Sequence, residues 1–215
     1  MTCLSAILLC SMLAGAQKPA LKAIPGELSW LNSPVSFKIE NGETLRIAAA
    51  KSTDWFIDPF EGRSFAAAPM LLFEPAGDFV LSAKVTVDFR TKWDAGALFV
   101  YVNGTTWAKL ALELSPDKRP TLVTVVTRGL SDDCNSFAIE GASVYLQVAR
   151  RGDAVVFYAS TDGRAWKILR SFNLGNTQGL RAGFEAQSPA GEGATAVFSE
   201  IRYAPKRIAN IYTGE

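Results

Sequence analysis

Period-two alternation of apolar and polar residues dominates this chain. Phe79, Leu81, Ala83, Val85, Val87 and Phe89 alternate with Val80, Ser82, Lys84, Thr86, Asp88 and Arg90. Successive side chains on a strand point to opposite faces, so the run predicts a half-buried antiparallel strand. Similar runs occupy 97–103, 106–114, 121–128, 143–150, 154–160, 181–187 and 195–203. Turn-forming pairs punctuate them: Asn103-Gly104, Pro116-Asp117, Gly152-Asp153 and Asp162-Gly163. Shorter runs at 28–31, 36–40, 44–49 and 54–57 are expected to start the same sheets. No long window carries helical periodicity. Many short strands joined by hairpins predict an all-β sandwich or barrel.

Ser160-Thr161-Asp162-Gly163-Arg164-Ala165-Trp166 is a hairpin signature. Asp162-Gly163 supplies a tight turn, Ser160 can bond across it, and Trp166 can pack on its far side. The segment is similar to the Asp-box hairpins of sugar-active propellers but one residue shorter, and its expected role is structural.

Residues 1–16, MTCLSAILLCSMLAGA, are uncharged and contain an apolar run of signal-peptide length. Ala14-Gly15-Ala16 offers a cleavage site, although no Lys or Arg precedes the run. The expected organisation is a signal peptide at 1–16, a linker at 17–26, one sandwich domain at 27–204 and a C-terminal tail at 205–215. Export to the periplasm or outside is then expected, and a cytoplasmic location if the segment is not a signal. The mature form would have no membrane partner.

Composition narrows the chemistry. The 215 residues include no histidine, which excludes Ser-His-Asp triads, Cys-His dyads, His-ligated zinc and a histidine general base. Of three cysteines, Cys3 and Cys10 lie in the first ten residues, so a Cys-only zinc site lacks ligands. No cofactor or metal is expected. After removal of 1–16 only Cys134 remains, either a buried small hydrophobe or a free thiol. Basic and acidic residues number 22 and 21, which gives no nucleic-acid footprint.

Strand 106–114 carries the most chemistry. Ala108, Leu110, Leu112 and Leu114 share one face, and Trp107, Lys109, Ala111 and Glu113 share the other. A tryptophan, a cation and a carboxylate on one face fit a sugar-contact surface, with the indole stacked on a pyranose. On the residues alone, a solvated face with a cross-strand Lys–Glu pair is the favoured reading. Trp93 and Asp94 begin the preceding strand, and Asp94 either joins that surface or caps a turn. Ser131-Asp132-Asp133-Cys134-Asn135-Ser136 is read as a polar loop, able to ligate Ca²⁺, bind hydroxyls or satisfy its own backbone. Glu185 and Gln187 share a face opposite Phe184 and Ala186, and Gln187-Ser188 leads into a Pro-Gly turn. A glycosidase needs two carboxyls about 5–9.5 Å apart. Glu113 has no same-strand partner for this, which leaves Asp94, Asp132, Asp133 or Glu185 across strands.

The strings GDFVLSAKVTVDF, WDAGALFVYVNGTTWAKLALELSPD, VVTRGLSDDCNS, VYLQVARRGD, YASTDGRAWKILRSF and GFEAQSPAGEG occur in this order. They closely resemble domain-of-unknown-function family 1349, over roughly residues 27–204. That family is grouped with the concanavalin A-like lectins and glucanases, and one branch is described as a regulator of enolase. The resemblance implies a jelly-roll sandwich of two curved antiparallel sheets with a ligand face on the concave side. It implies that Trp93, Asp94, Trp107, Lys109, Glu113, Ser131, Asp132, Asp133, Asn135 and Gln187 lie near that face. The glucanase E-x-D-x-E motif is absent. The resemblance implies that relatives often carry a cysteine where this chain has Ala194, so no partner for Cys134 arises there.

Three functions compete: non-catalytic binding of an oligo- or polysaccharide, glycan hydrolysis with Glu113 as a catalytic carboxylate, and regulation through a protein partner. Binding is the leading expectation. The case against an enzyme is the missing histidine and glucanase motif.

Overall fold

The computed structural model describes residues 18–215. The expected signal peptide, with Cys3 and Cys10, lies outside the described residues.

Sixteen strands form among the described residues. They are β1 (Ser29–Leu31), β2 (Ser36–Glu40), β3 (Thr44–Ala50), β4 (Trp55–Ile57), β5 (Ser64–Ala66), β6 (Met70–Phe73), β7 (Phe79–Asp88) and β8 (Ala95–Asn103). The second half contributes β9 (Thr106–Leu114), β10 (Pro120–Arg128), β11 (Leu130–Ala138), β12 (Ser143–Arg151), β13 (Ala154–Ser160), β14 (Lys167–Asn173), β15 (Arg181–Gln187) and β16 (Gly193–Ala204). Two seven-stranded antiparallel sheets result. The first runs β1-β6-β15-β8-β9-β10-β11 and the second β14-β13-β12-β7-β16-β3-β2. The expected sandwich is the observed one.

The alternation in the sequence decides which side chains meet between the sheets. Phe79, Leu81, Ala83, Val85 and Val87 of β7 enter the core with Ala108, Leu110 and Leu112 of β9 and Ala182, Phe184 and Ala186 of β15. The 17–26 segment, expected as a linker, carries Leu21 and Ile24 into that core. The C-terminal tail also packs. Ile208 is buried with Tyr158 and Val156 on the outer face of the second sheet, and the Tyr158 hydroxyl donates to the Ile211 carbonyl at 2.7 Å.

Residues 54–57 do not start either sheet. β4 pairs only with β5, and this hairpin lies across the outer face of the first sheet. Its anchors are polar at both ends. Thr53 Oγ1 accepts the Ser188 N–H at 3.0 Å, and the Ile57 N–H donates to Ser131 Oγ at 2.9 Å. Trp55 donates its indole N–H to the Ala68 carbonyl at 2.9 Å. Below the hairpin a second apolar cluster forms from Trp55, Met70, Leu72, Phe99, Trp107 and Val125.

The 160–166 hairpin is as expected. Ser160 Oγ accepts the Gly163 N–H at 2.9 Å, and Asp162 Oδ1 accepts the N–H groups of Arg164 and Ala165 at 2.8 and 2.9 Å.

One glycine sets the position of β15, which supplies part of the site. A Cβ on Gly183 would lie 1.9 Å from the Leu71 carbonyl oxygen of the paired β6. Both atoms belong to backbone, so no rotamer relieves the clash. Gly183→Ala is expected to lower unfolding free energy by about 1–3 kcal/mol, read from urea denaturation. A variant as stable as the parent would show that β15 and β6 do not approach so closely.

A roofed pocket on the outer face of the first sheet

β9 turns Trp107, Lys109, Ala111 and Glu113 to the outer face, as the spacing requires. The register then aligns other residues with them. Glu113 lies opposite Ala95 of β8, and Ala95 opposite Gln187 of β15. Val125 and Val123 of β10 sit beside Lys109 and Ala111, and Asp133 of β11 sits beside Val125.

Lys109 is 2% exposed. Its ammonium donates to Gln187 Oε1 at 2.6 Å and to Asp54 Oδ1 at 3.1 Å. Gln187 turns its amide nitrogen to the Trp93 carbonyl at 3.0 Å and, more weakly, to Glu113 Oε2 at 3.5 Å. Asp54 belongs to the covering segment, and its main-chain carbonyl accepts the Ala67 N–H at 2.9 Å. A cavity of about 540 Å³ opens above this floor, within the usual size of small-molecule pockets. Phe56 and Phe65 of the hairpin, together with Trp93 and Pro189, wall it; Lys109, Glu113, Gln187, Asp54 and Asp133 give it polar groups.

Burial governs the charges. Desolvation pushes the Glu113 carboxyl up to about 8; Lys109 opposes this, while Asp54, Glu185 and Asp133 add to it. Desolvation likewise pushes Glu185 up to about 7, against Lys109 and with Asp54. For Lys109, burial works against the charge, but Asp54, Glu185 and Glu113 outweigh it and hold the ammonium above its ordinary range. Glu185 is fully buried, and neither of its carboxylate oxygens has a hydrogen-bond partner.

The ten expected residues divide clearly. Trp93, Lys109, Glu113, Asp133 and Gln187 line the pocket. Trp107 does not. It is completely buried, stacked on Phe99 at 5.3 Å and edge-on to Trp55 at 6.0 Å. The hairpin covers the indole, so no sugar can stack on it. Asp94 is the turn cap: it accepts the N–H groups of Arg90 and Thr91 at 2.9 and 2.8 Å and the Ser188 hydroxyl at 2.6 Å.

Residues 131–136 are strand, not loop, and pair along β10 at the edge of the first sheet. Ser131 anchors the hairpin, Asp132 faces away and pairs with Arg170 at 3.0 Å, and Asn135 is exposed beyond the lining. Cys134 is exposed on this strand, not buried. Among the described residues no group of three or more Cys, Asp or Glu side chains is arranged to hold a metal ion.

Asp54, Phe56 and Phe65 were not anticipated. The available signal was a short aromatic-rich segment, 54–65, broken by Pro59 and Gly62. Nothing in it separates a covering hairpin from two ordinary sheet strands.

Residues 30–206 match the family model described as protein of unknown function (DUF1349). No curated protein matches the chain. A functionally unknown protein from Saccharomyces cerevisiae has a similar structure, with a TM-score of 0.78 at 21% identity over 84% of this chain and 97% of that one. The GH43 protein BlXynB from Bacillus licheniformis gives 0.68 at 15% identity, over 88% of this chain but 39% of that one. A xylan β-1,4-xylosidase from Bacillus halodurans C-125 gives 0.61 at 16%, over 76% and 33%. The chain thus spans about two fifths or less of these two larger chains, and at such identities the shared property is the fold.

The raised carboxyls make stability depend on pH in a defined direction. The Glu185 carboxyl, which ordinarily ionises near 4.5, stays protonated to about 7 in the fold. Between those values the unfolded chain binds fewer protons, so stability falls as pH rises, by about 1.4 kcal/mol per unit at most. Glu113 adds a slope of its own from the same starting pH and extends the fall to about 8. Glu185→Gln removes its share. The variant is expected to be no more stable than the parent at pH 4.5 and more stable at pH 8, in parallel urea titrations. Equal slopes in parent and variant would show that Glu185 ionises freely.

Proposed function

The chain is a member of the DUF1349 family, and we propose that its roofed pocket binds carbohydrate. The observation that carries this reading is the pairing of a half-exposed Trp93 with a buried polar floor. Trp93 is 38% exposed beside the cavity. Its indole offers a flat apolar face for the C–H face of a pyranose. Lys109, Gln187, Glu113 and Asp54 offer donors and acceptors fixed by their mutual hydrogen bonds, the form in which hydroxyl groups are read most specifically. The fold supports the reading at a distance, since similar sandwiches occur in the BlXynB and xylosidase chains.

Binding without turnover is favoured over hydrolysis. The E-x-D-x-E motif of glucanases is absent, and the pocket's one cation is committed to the floor. Hydrolysis is kept as a second reading by one feature. Glu113 holds its proton to about 8 while Asp133 lines the same cavity, and a protonated acid beside a second carboxylate is the glycosidase requirement. The glycan would be an external one if residues 1–16 direct export.

The test is a titration of the full chain with neutral oligosaccharides, followed by tryptophan fluorescence and by release of reducing ends. Saturable quenching with no new reducing ends is expected. Trp93→Ala should weaken binding about 10- to 100-fold, the worth of one aromatic contact and its buried area. Trp107→Ala should instead lower stability by about 3–5 kcal/mol. New reducing ends that disappear in Glu113→Gln would replace binding by hydrolysis. No response to any sugar would overturn the carbohydrate reading.

A further inference from the structure

The charge around the pocket is one-sided. Asp54, Glu113 and Asp133 line it with a single cation, Lys109. Two of the three ammonium hydrogens of Lys109 are already given to Asp54 and Gln187. Glu185 lies on the face of β15 that also carries Gln187, and it is wholly buried with both oxygens unmet. Buried acceptors without a donor are rare and costly. Glu185 lies behind the lining, and the lining itself has three carboxyl groups and no uncommitted cation.

The wall is aromatic, and ring faces attract cations. One face of the Trp93 indole already has Lys92 Nζ 4.3 Å from its ring centre, and a ligand on that face would displace it. Phe56 and Phe65 add two further ring systems to the wall.

Resting on the carbohydrate reading above, we propose that the pocket selects a glycan unit carrying a protonated primary amine, and rejects units carrying a carboxylate or sulfate. The ammonium approaches the Glu113 and Asp133 carboxyl groups that line the cavity. An anionic sugar would set like charges together in a partly desolvated site, a penalty that hydroxyl contacts do not offset.

Such a ligand has a second signature. The groups facing Glu113 are Lys109, Asp54, Glu185 and Asp133. An added cation favours the ionised carboxylate, so binding at pH 6, where Glu113 is still protonated, should expel a proton. A neutral sugar should not.

The experiment is calorimetric titration of the full chain at pH 6, in buffers of different ionisation enthalpy. The probes are oligomers of glucosamine, N-acetylglucosamine and galacturonic acid of equal length. The glucosamine oligomer is expected to bind about tenfold or more tightly than its acetylated counterpart, in keeping with one charge-assisted contact. Its heat should vary with buffer, reporting proton release, and the galacturonic oligomer should not bind. Glu113→Gln should lower both the preference and the proton release. Asp133→Asn, at an exposed position, should lower the preference without risk to folding. Equal affinity for glucosamine and N-acetylglucosamine oligomers, or tighter binding of the galacturonic oligomer, overturns this selectivity and leaves carbohydrate binding standing. Failure of these and of the neutral oligosaccharides overturns both.

Discussion

The site depends on the burial of one ammonium group. Lys109 joins three parts of the chain that are remote in sequence: β9, the end of β15 through Gln187, and the covering segment through Asp54. A buried charge is expensive unless it is paired and hydrogen-bonded, so the covering segment cannot drift away without stranding Lys109. The same charge sets the behaviour of its neighbours. It moderates the rise of Glu113 and Glu185, which burial would otherwise push further. Without the roof, Phe99, Trp107 and Val125 would form an exposed apolar patch. With it, the patch becomes a second core, and only its polar end remains open.

Much of the sandwich was legible because period two is a direct consequence of strand geometry. β7 and β9 show it residue by residue, and the shared face of Trp107, Lys109 and Glu113 follows from it. What alternation cannot say is what lies over a face. Trp107 and Trp93 are both tryptophans of the β8–β9 hairpin region, at its opposite ends, yet one is in a core and the other beside a cavity. The difference is made by residues 51–69, whose own short strand has the same periodicity as any sheet strand. β11 escaped for the opposite reason. Ser131–Ser136 has no apolar member except Cys134, since an edge strand with one neighbour needs little hydrophobic surface. Its aspartates then read as loop chemistry. Asp94 was legible only as a choice, because an Asx cap and a ligand-facing carboxylate require the same residue type. Gln187 and Glu185 were legible as sharing one strand face, but the isolation of Glu185 depends on the roof.

Floor and walls have different origins. Strands β9, β10 and β15 supply the floor, and they are also structural members of the sandwich. Phe56 and Phe65 come from one hairpin tied on by a few polar bonds. Changes at these two positions should reshape the mouth with little effect on the core, whereas changes at Lys109 or Gln187 disturb both. The BlXynB and xylosidase chains share the sandwich fold at low identity. Such a division lets one fold carry different specificities.

Trp93 sits at φ 69°, a left-handed conformation that a bulky side chain seldom adopts. Its N–H is held by the Leu114 carbonyl at 2.6 Å, and its own carbonyl by Gln187 at 3.0 Å. Folding therefore carries the conformational cost of this backbone. On the carbohydrate reading, a ligand would meet an indole whose stem is already placed, so less ordering is left to docking. Relaxing that backbone, even with the indole retained, would transfer the cost to the ligand.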